Sequence, residues 1–124
     1  MTERGQVPPG WPADVRPPGA PGWEPTALSW LLDLCPPDYR GHAVLTRHPA
    51  VLAWLAGHHL DGQLQATRRA LATARSELAD VVAPPVLAET LEAVEAEEAR
   101  LLAARRGLGL VAQALRGIRF VPRL

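Results

Sequence analysis

One heptad seam runs through two segments of the chain and survives a break at Ala83-Pro84-Pro85. Before the break it is carried by Ala53, Gly57, Leu60, Leu64, Thr67, Leu71, Ala74, Leu78 and Val81. After it come Leu87, Leu91, Val94, Glu98, Leu101, Arg105, Leu108, Ala112 and Leu115. The steps alternate between four and three, the a/d rhythm of paired helices. A fold near residue 84 sets Val81 against Leu87, Leu78 against Leu91, Ala74 against Val94 and Thr67 against Leu101. It then sets Leu60 against Leu108, Gly57 against Ala112 and Ala53 against Leu115. Small residues meet larger ones at Ala74/Val94, so the layers can interdigitate. The seam therefore predicts an all-α fold built on a long, coiled-coil-like antiparallel helical hairpin.

Two seam positions are charged. Glu98 faces Leu71 and Arg105 faces Leu64. Long charged side chains at a seam edge ordinarily reach water. Arg68 or Arg75 is a candidate partner for Glu98, and Asp61 for Arg105; paired, they would instead lock the register.

Signals on either side of the seam set the boundaries. The second helix runs from Pro49, with His48 or Thr46 as cap, to about residue 82. That is about 34 residues, or about 50 Å at 1.5 Å per residue. The third helix covers about 85–115, is weakened in propensity at Gly107 and Gly109, and stops at Gly117. A shorter first helix covers about 25–35, with Pro25 in its first turn, Thr26 or Glu24 near its cap, and Pro36-Pro37 after it. Between them, 38–48 is a connector with room for one helical turn.

Seven of the thirteen prolines fall in residues 1–25. On composition, residues 1–24 form a Pro/Gly-rich arm, extended or disordered. The arm repeats a short pattern, Pro9-Gly10-Trp11-Pro12 and Pro21-Gly22-Trp23-Glu24-Pro25. A disordered tail gains nothing from large apolar rings, so strapping over the helices is favoured, at least at Trp23. The base of the hairpin needs such a cover: Val51, Leu52, Trp54 and Leu55 add an apolar face on the second helix, and Leu102, Leu110 and Val111 on the third. The helical domain thus spans 25–117, with the first helix packed at its base, and 118–124 is a tail.

Formal net charge is zero, which excludes a uniformly basic nucleic-acid binder. The charges are sorted, however. Residues 76–99 hold seven acids and no arginine; residues 100–124 hold six arginines and no acid. Folded about residue 84, the tip is acidic and the shaft and base are basic. Complementarity to the helix macrodipole accounts for much of this, and cross-helix pairs such as Arg75 with Glu92 or Glu95 are available. The functional alternative is a basic end that meets an anionic partner, or tips and bases that associate between copies.

Chemistry-bearing patterns are sparse. Cys35, His42, His48, His58 and His59 cluster in sequence, but adjacent histidines on a helix diverge by about 100° and cannot easily share a metal. There is no HExxH, CxxC, phosphate loop or nucleophile elbow. The expectation is no catalytic residue, no cofactor and no metal site. A single cysteine and no lysine point to a reducing cytoplasm and a GC-rich bacterial genome. Neither a secretory signal nor a membrane-spanning run is evident. The reading is a non-enzymatic helical scaffold for protein–protein interaction, its partner an unknown protein or a second copy. The candidate surface is Arg100, Arg105, Arg106, Arg116, Arg119, Phe120 and Arg123. A nonspecific nucleic-acid-associated role using Arg68, Arg69 and these arginines is the alternative, and a metal-dependent role the third choice.

Overall fold

The seam folds as an antiparallel hairpin. In a computed structural model, which describes residues 7–117, the chain is all-α. The elements are α1 (Trp23–Asp33), a 3-10 turn (Pro37–Gly41), α2 (Ala43–Arg47), α3 (Pro49–Leu78) and α4 (Pro84–Leu115). The long helices α3 and α4 pack along each other, and α3 also receives α1 and α2 at the base.

Both charged seam positions reach a partner. Arg68 Nε donates to Glu98 Oε2 at 2.8 Å, and Arg105 Nε donates to Asp61 Oδ1 at 2.8 Å. The two bridges lie one heptad apart on each helix and run in opposite senses, which defines the antiparallel register twice. They are at the surface, so each contributes well under about 1 kcal/mol. Arg75 makes no ion pair with Glu92 or Glu95 among the described residues.

The turn between α3 and α4 differs from the expected one. Helix α3 stops at Leu78 rather than near residue 82, and Val81 is 71% exposed instead of sealing the seam. Past Leu78 the chain closes a turn, the Val81 and Val82 amides both donating to the Leu78 carbonyl, and Pro84 disfavours helical backbone in the residue before it. Ala83 is accordingly extended, at φ −67° and ψ 152°, and α4 starts at Pro84 itself. At the far end Gly117 adopts φ +84° and its amide caps α4 on the Ala114 carbonyl.

Burial falls from base to tip. Leu52, Ala53, Ala56, Leu60 and Leu64 on α3 and Leu101, Leu108 and Val111 on α4 are buried together with Leu31 and Leu32 of α1. Toward the tip Leu78, Leu87, Leu91 and Val94 are only half-buried. A two-helix arm thus projects from a three-helix base.

The N-terminal arm turns three times on Pro-Gly pairs. Trp11 donates its amide to the Pro8 carbonyl, Ala20 to Pro17 and Trp23 to Ala20, with Gly10, Gly19 and Gly22 at φ +92°, +84° and +76°. This is the type II turn, with proline second and glycine third. The repeated Pro-Gly-Trp pattern is therefore one turn used twice, and it brings the Trp11 and Trp23 rings to a centroid distance of 6.5 Å. The last turn runs straight into α1, which starts at Trp23, two residues before the proline signal. Within the arm Val15 is buried in the core at 3% exposure, and Trp11 Nε1 donates to its carbonyl at 2.8 Å. The Arg16 amide donates to Thr26 Oγ1 at 3.0 Å, tying the arm to α1.

Candidate interaction site

The arm and α1 cover one flank of the hairpin base and leave the other open. On the open flank a groove of about 280 Å³ lies between α3 and α4. Its floor is made of small residues, Ala53 and Gly57 on α3 and Gly109 and Ala112 on α4, above the buried Leu108. Trp54 stands on its α3 side, 57% exposed. The ring meets the His58 imidazole one turn on, edge to face, at 5.2 Å and 76°. The Asp61–Arg105 bridge closes one end of the groove, and Arg116 lines the other. The result is a large apolar ring on a well-packed helix, beside a shallow apolar floor, with guanidinium groups at its edge.

This corrects the expected cover. Leu52 is fully buried and Leu55 partly so, but Val51 is 38% exposed and Trp54 more so. Leu52 and Trp54 lie on opposite sides of the seam position Ala53, each about 100° away. Only the Leu52 side faces α1.

The candidate arginines are divided among several surfaces. Arg105 and Arg116 line the groove. Arg100 stands about 140° round α4 from Arg105 and pairs with Glu97 in its own helix. That hydrogen bond holds the Glu97 carboxyl below the ordinary glutamate value. Arg106 is exposed and has no ion pair among the described residues. Arg119, Phe120 and Arg123 lie outside the described residues.

The cysteine and histidines also separate. His58 faces the groove, whereas His59 lines a second cleft, of about 300 Å³, with Cys35, Asp33, Gln63 and Arg100. The adjacent histidines thus diverge as helix geometry requires. No group of three His, Cys, Asp or Glu side chains converges among the described residues. Burial pushes the Cys35 thiol up to about 11, an effect the nearby Arg40 guanidinium only partly offsets. Only the thiolate reacts with alkylating agents, so below pH 9 its population is about a hundredfold lower than for an ordinary cysteine. Iodoacetamide labelling at pH 8 is expected to be about a hundred times slower for the native chain than for the same chain in denaturant. Equal rates would contradict the placement of Cys35. The linkage has one sign: a raised folded-state value stabilises the fold below the unfolded thiol value and is lost as pH rises toward 11.

Trp54 on the open flank and Gly107 on the covered one each matter more than their sequence positions suggest. Trp54 has a readable signal, since its turn neighbours on the same flank are His58 and Asp61, both polar. Gly107 reads as a weak point in α4, yet it lies buried where Pro12 and Trp30 cross the helix. Compared with protein-family models, curated proteins and solved structures, the chain matches none.

Proposed function

We propose that the chain is a non-enzymatic helical scaffold that docks a protein partner at the base of its hairpin, across the Trp54 groove. The observation that carries this reading is Trp54 itself, 57% exposed on the best-packed part of α3. An ordered, exposed tryptophan beside arginine is the composition enriched at the energetic centre of protein interfaces. The hairpin supports it rigidly, because the core beneath is continuous through Ala53, Leu60 and Leu108.

The nucleic-acid alternative is weaker on the same geometry. Of the arginines it needs, Arg68, Arg100 and Arg105 are each engaged by a carboxylate. A phosphate would have to displace Glu98, Glu97 and Asp61 from them. No helix among the described residues is long and apolar enough to cross a membrane.

Capture on immobilised full-length chain tests the reading. Trp54→Ser is expected to abolish retention of any partner the parent chain holds. Trp54 is partly covered and packs on His58, so the same substitution should lower unfolding free energy by about 1–2 kcal/mol and leave the chain folded. Undiminished capture by the Trp54→Ser chain would sink the proposal.

A further inference from the structure

We infer that the partner at the groove is a second copy of this chain, whose hairpin tip seats against the first copy's base. The inference rests on the groove reading above and names its occupant. The tip offers the matching chemistry. Val81 and Val86 are 71% and 45% exposed there, with Pro84 and Pro85 exposed between them. Asp80 and Glu89 flank this apolar nose, both exposed and without an ion pair among the described residues. The base offers Trp54 over an apolar floor, flanked by Arg116, which likewise has no acid partner among the described residues. An apolar patch with an acidic rim faces an apolar groove with a basic rim, the pattern that steers association and fixes orientation. The groove volume corresponds to roughly nine waters in the liquid, which Val81 and Val86 would displace.

One copy cannot satisfy itself. Trp54 and Leu78 are 24 residues apart along one straight helix, about 36 Å at 1.5 Å per residue. The contact is therefore heterologous, with a free tip and a free groove left after each addition, so it generates rings or open chains rather than a closed two-fold pair. Base-to-base pairing would instead bring Arg106 and Arg116 against their own copies.

The test uses the full chain and two surface variants. A tip variant carries Asp80→Arg and Glu89→Arg; a base variant carries Trp54→Ser and Arg116→Gln, so that the altered tip and the altered groove do not match each other in charge. All four positions are exposed, and circular dichroism confirms unchanged helix content. By light scattering at low salt, the parent chain is expected to rise at least about twofold in mean mass with concentration. The rise should shrink in about 1 M salt, where the screening length is about 3 Å. Each variant alone stays monomeric. Mixed in equal amounts, they form a dimer that grows no further, because one supplies an intact tip and the other an intact groove. A parent chain that stays monomeric, a tip variant that still associates, or a mixture that stays monomeric overturns the inference. A monomeric parent that loses a captured partner on Trp54→Ser refutes the second copy but leaves the groove reading standing. Capture indifferent to Trp54 refutes the groove reading itself.

Discussion

Leu60→Ala is expected to lower the unfolding free energy by about 2–5 kcal/mol, the range for emptying a fully buried leucine site. Leu60 is 1% exposed and sits on α3 where the hairpin core meets α1. Its neighbours are held from several directions, by Leu108 on α4 and Leu31 on α1 within the same cluster, so they can collapse only partly into the void. At about 4 °C per kcal/mol the thermal midpoint should fall by roughly 8–20 °C. Leu91→Ala occupies an equivalent place in the heptad but lies half-buried toward the tip. Its loss should stay within the transfer free energy of a leucine, about 1.5–2 kcal/mol, because solvent fills the space without leaving a cavity. Denaturant melts of the two variants measure the difference. Equal losses would contradict a core concentrated at the base.

The contrast between these leucines marks how far the sequence carries. Heptad spacing told helix from loop and set the direction of pairing, because a/d positions must meet whatever else the helices touch. Its charged positions even narrowed their partners, to Asp61 for Arg105 and to Arg68 or Arg75 for Glu98, of which the structure pairs Arg68. Spacing says nothing of depth. Leu60 and Leu91 read alike, and only the arrival of α1 at one end makes the first a core residue. Trp54 shows the same limit from the other side. An apolar residue beside the seam can face a third helix or water, and the two flanks are distinguished by their other occupants: Leu52 and Ala56 on the covered side, His58 and Asp61 on the open one. The arm was least legible. Prolines exclude a helix there, but which turns they make depends on the glycine that follows each, and where the turns lead depends on a close approach at Gly107. The candidate basic surface was legible as composition and not as geometry, since helical rotation sends Arg100 and Arg105 to different sides of α4.

Gly107→Val is expected to destabilise the chain by about 1–3 kcal/mol, the usual range for overpacking, although helix propensity alone predicts a slight gain when valine replaces glycine in a helix. A β-carbon at this position would lie 3.0 Å from Pro12 Cγ and 3.3 Å from the Trp30 ring. Both are inside normal contact, and valine adds two methyl groups beyond that carbon. Trp30 is anchored in α1, whose Leu31 and Ala27 are fully buried, so the ring has little room to retreat. Pro12 is the movable side of the contact. If it lifts, the arm loses the burial of Val15 and the turn that places Trp11, and residues 7–22 become open to protease. Gly62→Ala supplies the opposite sign: Gly62 is exposed in α3 with nothing within 4 Å of an added β-carbon. That variant should gain about 0.5–1 kcal/mol from propensity alone. Thermal melts of both variants, with limited proteolysis of the arm, decide the matter. Stabilisation by both substitutions would mean that the arm does not bear on α4 at Gly107, and the flank opposite the groove would then be open as well.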